Sequence, residues 1–267
     1  MIGPRLKRSS LSPRAAVIYK PSSTSALKLM YGRGFRNPND FELYFDDNGV
    51  SQKANLSLQP ETADTYEFDA EKQFTKRIRG IASAYHYRIS NLIQQTYTSS
   101  GLAQYVNASE VQANGLSMQL DYKLPAGIET SSSLELQRAV YVGGSVLPNS
   151  PGQIGKFQMS LPLFKNRVSL GGGVQALGQR QTLNGVMLPW SILPELMVST
   201  KKLPGGLDLT GGIKNLSNSF YREPAGLVQT VDSMIGGGRV YYLSVTWQRA
   251  EEQSAGGSRA NSAKPEK

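Results

Sequence analysis

The sequence predicts an all-β protein: an antiparallel, up-and-down transmembrane β-barrel, here a partial, open barrel of about eleven strands. Three observations carry that prediction. Apolar residues recur at every second position through most of the chain, the period of a strand with one apolar and one wet face. The connections alternate strictly between short and long, so one end of the sheet is trimmed and the other elaborated. The wet faces carry charge, Glu67, Asp69 and Glu71 in one row and Asp121 with Lys123 in another. A dry sandwich core holds such rows only at heavy desolvation cost, whereas a water-filled lumen accepts them.

Taken in order, Ala15, Val17 and Tyr19 form the first stripe, and Leu27, Leu29 and Tyr31 the second. Tyr66, Phe68, Ala70 and Phe74 then alternate with Glu67, Asp69, Glu71 and Gln73. In the fourth stretch Ile81, Tyr85, Tyr87 and Ile89 read as the apolar face, and Ala82, Ala84, His86, Arg88 and Ser90 as the wet one. Leu116, Met118, Leu120 and Tyr122 oppose Ser117, Gln119, Asp121 and Lys123, and Ile128, Thr130, Leu134 and Leu136 oppose Glu129, Ser131, Ser133, Glu135 and Gln137. Phe157, Met159 and Leu161 lead to Val168, Leu170, Val174 and Ala176, then Leu196 and Val198. The last two strands are 207–213 and the run with Tyr241, Leu243, Val245 and Trp247 on its apolar side. Many of these stretches approach the ~9–11 residues a tilted strand needs to cross a bilayer. Short turns are expected near 21–24, 75–77, 124–127, 164–166 and 203–206. Long polar loops are expected near 34–62, 92–112, 141–153, 179–188 and 216–237. A Greek-key sandwich has no reason for that asymmetry.

Composition narrows the function. In 267 residues no apolar run approaches the ~20 needed for a membrane helix, which excludes helical spans but not a barrel. The absence of Cys removes disulfides, thiolate chemistry and thiolate metal sites. The net charge of +9 comes from scattered basic residues, apart from an acid-free start (Arg5, Lys7, Arg8, Arg14, Lys20), and no groove-reading motif accompanies them. Nucleic acid is therefore not an expected partner, while a phosphate-rich membrane surface is. The start, 1–12, is basic and lacks an apolar h-region, so no signal peptide is read there. The barrel portion is expected over 13–248, and the tail, 249–267, reads as a disordered polar segment.

Two sets of residues resemble a known family. The C-terminal run Ile213-Lys214-Asn215-Leu216, then Tyr221-Arg222-Glu223-Pro224-Ala225-Gly226, Gly238-Arg239 and an aromatic-ended last strand, is similar to the end of TonB-dependent outer-membrane receptors. Tyr31-Gly32-Arg33-Gly34-Phe35-Arg36-Asn37-Pro38-Asn39, Pro60-Glu61 with Thr65-Tyr66-Glu67, and Val106-Asn107 with Gly115-Leu116 match further motifs in the family's order. The resemblance implies an outer-membrane location in a Gram-negative bacterium and the C-terminal part of a twenty-two-stranded barrel. It also implies active uptake of a bulky, scarce nutrient of the siderophore–iron, cobalamin or carbohydrate class. The partners implied are outer-membrane lipid, a nutrient ligand such as a metal chelate, and TonB–ExbB–ExbD acting through a plug domain. This chain shows no counterpart of the signal peptide, TonB box or plug. A passive porin-like channel is the alternative reading, and an outer-membrane hydrolase a further one.

No catalytic, metal or cofactor site is read from the residues, and no cofactor is implied. His86 is the single histidine, so a zinc site of the usual kind is out of reach. It is the only base for a hydrolase, and no acid stands at a telling spacing from it. As a lumen-lining residue it joins Arg88, Glu67 and Asp69 as the substrate-contact candidates. Gly171-Gly172-Gly173 and Gly236-Gly237-Gly238 lack the following helix and Lys-Ser/Thr of a phosphate loop, and read as bends or close approaches. Tyr19, Tyr31, Tyr122, Phe164, Trp190, Tyr241 and Trp247 lie near strand ends, where an interfacial girdle is expected.

Overall fold

The computed structural model describes residues 11–107, 110–164, 167–201, 203–226 and 229–247. The expected tail and most of the basic start lie outside them. One antiparallel sheet of eleven strands dominates: β1 (Arg14–Ser22), β2 (Ser25–Arg36), β3 (Glu61–Thr75), β4 (Ile78–Ser90), β5 (Val111–Lys123), β6 (Glu129–Tyr141), β7 (Gln153–Leu163), β8 (Val168–Leu177), β9 (Ser191–Thr200), β10 (Leu207–Lys214) and β11 (Val240–Trp247). Each strand pairs with the next in sequence, with no crossover, and β1 and β11 are the two edges of a sheet that does not close.

The turns are made by the residues that turns require. Short connections join β1 to β2, β3 to β4 and β5 to β6, the last through a 3₁₀ turn at Pro125–Gly127 where Ala126 takes a left-handed φ of 62°. Phe164 does the same (φ 47°) as β7 ends, and Gly205 and Gly206 do so between β9 and β10. The other connections are long, as expected, but they are not plain polar loops. A short helix α1 (Asp40–Tyr44) and a three-stranded sheet of Gln52–Lys53, Ala103–Asn107 and Ile93–Tyr97 are built from the first two. Smaller hairpins, Arg180–Gln181 with Met187–Leu188 and Arg222–Pro224 with Ser233–Ile235, form in the later ones.

Residues paired across an antiparallel sheet share a face, so the registers sort every side chain. One row runs Val17, Leu29, Phe68, Ala84, Leu116, Leu136, and the next Tyr19, Leu27, Ala70, Ala82, Met118, Leu134. The same face continues through Phe157, Val174, Leu196 and Ile213 to Tyr241 and Leu243. Most of these side chains are exposed, Val17 at 67% and Leu243 at 74%. A contiguous apolar face of that extent belongs against lipid, not water. The opposite face carries Lys28, Asp69, Ser83, Ser117 and Glu135 in one row. The few fully buried apolar residues, Leu58, Val111 and Ala113 among them, sit at the long-loop end.

One strand departs from its expected orientation. In β4 the alternation puts Tyr85 and Tyr87 on the apolar side and His86 and Arg88 on the wet side. The register reverses this: Tyr85 pairs with Glu67 and Gly115, and His86 with Tyr66 and Asn114. Both faces of β4 read as half apolar, because its outward residues are the small Ala82 and Ala84 and its inward ones are tyrosines. Tyr85 lies over Gly115, where a Cβ would sit 2.2 Å from the ring, and its hydroxyl donates to Glu135 Oε1 at 2.5 Å. A glycine under a cross-strand aromatic is a pairing device that pins register.

Candidate functional site: the polar wall and the long loops

The polar face is a wall of coupled charges. Glu71 accepts from Arg79 Nε at 2.9 Å and lies 3.6 Å from Lys28 Nζ. Ser83 Oγ donates to Asp69 at 2.7 Å. Asp121 accepts from Gln119 Nε2 and Ser131 Oγ and stands 3.7 Å from Arg79 Nη1. Near the short-turn end the wall is hollowed into a cavity of about 520 Å³ bordered by Gln73, Arg79, Asp121, Glu129, Gln158 and Glu195. Gly171 and Gly172 border it on β8: a Cβ on Gly171 would come within 2.9 Å of Met197, and one on the adjoining Gly173 within 3.1 Å of the Phe157 carbonyl. The Gly171–Gly173 run is thus a close-approach segment of the wall, as its lack of a following helix implies.

Of the sequence candidates, Glu67 and Asp69 stand on this wall, while His86 and Arg88 do not. His86 Nδ1 is bonded to Asn114 Oδ1 at 2.9 Å, and its ring lies 6.4 Å from that of Tyr66 on the apolar face. No Ser hydroxyl is bonded to it among the described residues, so the pair that a hydrolase needs is not assembled. Arg88 belongs to a charged border on the same outward face. There Arg33 bonds Asp64 at 2.8 Å through both Nε and Nη2, Tyr31 OH donates to the same carboxylate, and Arg88 engages Glu110. Among the described residues no group of three or more His, Asp or Glu side chains is arranged to hold a metal ion.

At the long-loop end the quoted motifs acquire a physical role. Asn39 caps α1 through a reciprocal box with Glu42, which donor and acceptor geometry at N-cap and N3 favours. Arg36 ties that box to the next strand, at 2.9 Å to Glu42 and 2.6 Å to Glu61, and Glu61 in turn accepts from the Ile93 amide. Asn107 clamps the second loop to the first by bonding both the amide and the carbonyl of Gln59. At the C-terminal end the buried Asn215 (φ 49°) bonds the carbonyls of Ser219 and Gly237, and Arg239 Nε reaches Leu216 O. Asp232 holds two loops together through Thr182 Oγ1 and the Asn184 amide. The residues that sequence reading missed are Phe41, Phe45 and Tyr105. They form an aromatic cluster with the first two rings 4.6 Å apart, the phenylalanines exposed on and beside α1 and Tyr105 half-buried. Helical i, i+4 spacing of the two phenylalanines was the available signal.

One loop has its own acid sensitivity. The Asp47 carboxylate accepts from the Val50, Ser51 and Gln52 amides and from the Ser51 hydroxyl, which lowers its pKa to about 2. A depressed carboxylate contributes order that is complete above its unfolded value and lost as pH falls through the folded one. Amide exchange at Ser51 and Gln52 is therefore expected to stay slow at pH 4 and rise only toward about pH 2. A midpoint at the ordinary carboxylate value would contradict the bonding pattern.

A family model described as TonB dependent receptor-like, beta-barrel, matches residues 3–216. Among solved structures, the FrpB iron transporter from Neisseria meningitidis (F3-3 variant) is similar with a TM-score of 0.68 and 15% identity, over 90% of this chain and 39% of that one. The copper transporter OprC gives 0.69 and 16%, over 88% and 38%. The siderophore receptor PiuA from Acinetobacter baumannii gives 0.65 and 18%, over 87% and 35%. At such identities the likeness speaks for the fold, and the chain spans under two fifths of each of these proteins. No curated protein matches the chain.

Proposed function

The chain belongs to the TonB-dependent receptor-like β-barrel family, and from that premise we propose that it is the C-terminal part of the barrel of an outer-membrane receptor. The family consists of receptors and transporters of the Gram-negative outer membrane, not of a class of enzymes. The proposed activity is energised uptake of a bulky, scarce nutrient of the siderophore–iron, cobalamin or carbohydrate class. The observation that carries it is the division of one sheet into an extended apolar face and a charged face, with elaborated loops at one end only. The similar structures include an iron transporter, a copper transporter and a siderophore receptor, which supports the metal-bearing end of that range. In this reading no bond is made or broken. Glu67 and Asp69 line the path, the long loops select the ligand, and TonB–ExbB–ExbD supplies energy through a plug domain.

The test separates energised from passive transport. Exported behind a signal sequence in a strain lacking its own receptors, this chain alone is expected to give no TonB-dependent uptake of ferric siderophore or cobalamin. Supplied with a plug and the remaining strands, it is expected to restore uptake that stops when TonB is lost. Energised uptake by this chain alone would overturn the proposal. Steady conductance in planar bilayers without TonB would favour a passive channel instead.

A further inference from the structure

The apolar face is not uniform. Near the short-turn end it sinks into a groove of about 730 Å³ that crosses β2 to β6. Its floor is made of small residues, Ala70, Gly80, Ala82 and Ser132, and its walls of Leu27, Phe74, Met118, Leu120 and Leu134. Gly80 is part of the design: a Cβ there would come within 2.8 Å of Phe74 Cε2, so the bare backbone lets that ring lean over the floor. Five strands at the usual spacing of ~4.8 Å make the groove about 19 Å long. Because barrel strands lean ~35–45° from the membrane normal, a groove crossing them runs obliquely through the leaflet.

Two charged residues border the groove: Glu71, whose carboxylate is engaged by Arg79 and Lys28 on the polar wall, and Lys72, which lies on the groove's own face. Lys72 is exposed at the row of Ser25 and Gly80, its ammonium held by Ser25 Oγ at 2.7 Å and Thr24 Oγ1 at 3.3 Å. Among the described residues no carboxylate lies within ion-pairing distance of it, although nearby Lys28, Arg79 and Lys123 all have carboxylate partners. Lys76 and Arg77 stand at the adjoining turn. A cation held on an apolar face, oriented by two hydroxyls and left without an acid, suits an anion that reaches the same depth from the membrane surface.

We infer that this groove is a binding site for one phospholipid of the leaflet at the short-turn end. Its acyl chain lies over Ala70, Gly80 and Ala82, and its phosphate bonds Lys72. The apolar floor and walls select a lipid tail over a free phosphate ion, which would use Lys72 alone. The inference rests on the reading that the apolar face meets lipid, and goes beyond it in singling out one place on that face.

The test uses the protein as extracted from outer membranes, reconstituted in vesicles of phosphatidylethanolamine and phosphatidylglycerol. A trace of phosphatidylglycerol carries a photoreactive diazirine in its acyl chain. Labelling mapped by peptide mass spectrometry is expected to concentrate on the segments holding Ala70, Ala82 and Leu134, well above the equally apolar Leu243 strand. The double variant Ala70→Leu, Ala82→Leu fills the floor and is expected to reduce that labelling several-fold. Lys72→Gln is expected to keep the tail contact and remove the preference for phosphatidylglycerol over an uncharged diacylglycerol probe. Even labelling of all outward-facing strands, or no response to the filled floor, overturns the groove while leaving the lipid-facing assignment intact. Absence of label from every outward residue overturns both.

Discussion

Prepared by itself in detergent, the 267-residue chain is expected to run without the compact, heat-modifiable form of a closed barrel and to be readily proteolysed. The reason is parity. Strands in an up-and-down sheet alternate in direction, so the first and the eleventh point the same way and cannot pair antiparallel. A second copy turned about the barrel axis meets the same obstacle, since its β1 would run parallel to β11. The open edges along Arg14–Ser22 and Val240–Trp247 leave rows of backbone N–H and C=O groups unpaired. Each costs several kcal/mol in lipid, so a handful outweighs the ~5–15 kcal/mol by which an ordinary domain is stable. In water the same edges recruit other chains. Only further polypeptide with an odd number of strands satisfies both edges at once. A protease-resistant monomer whose electrophoretic mobility shifts on boiling would refute this.

In the folded protein reconstituted in lipid vesicles, Met118→Arg is expected to lower stability by about 2–4 kcal/mol, as for a cation at the bilayer midplane. Gln119→Arg, one residue on, is expected to be close to silent, because it turns toward the wet wall beside Asp121. Met118 is the better probe of depth than Leu120. It lies between Tyr122 at one end of the apolar stretch and Asn114 at the other, about 26 Å apart along the strand at ~3.3 Å per residue. Leu120 lies two residues nearer the short-turn end, so an arginine there is expected to cost less than at Met118. Denaturant titration in lipid vesicles reads all three. Equal losses at 118 and 119 would refute the assignment of faces.

The strands, their number and the alternation of short and long connections were legible in the sequence because each depends on residues a few positions apart. Period-two patterning announces a strand wherever one face is uniformly apolar, as in β5 with Leu116, Met118 and Leu120. The motifs were legible as a family pattern, the one at 60–67 opening a strand and those at 31–39 and 213–226 closing one into a loop. Their work was not: Arg36 meets Glu61 across 25 positions and Asn107 meets Gln59 across 48.

The candidate site was half legible for the same reason. Glu67 and Asp69 alternate with Tyr66, Phe68 and Ala70, so their strand states its own orientation. In β4, tyrosines on one side and alanines on the other leave the local pattern ambiguous. The pairing of Tyr85 with Glu67 and Gly115, and of His86 with Tyr66 and Asn114, decides which way the strand faces. The sequence by itself determined that this chain is a sheet with a trimmed and an elaborated end. Tertiary structure alone decided the facing of β4, the clasping of the loops and the depth of the groove over Gly80. Those properties belong to pairs of strands, and register is a free energy summed over both partners that neither one carries alone.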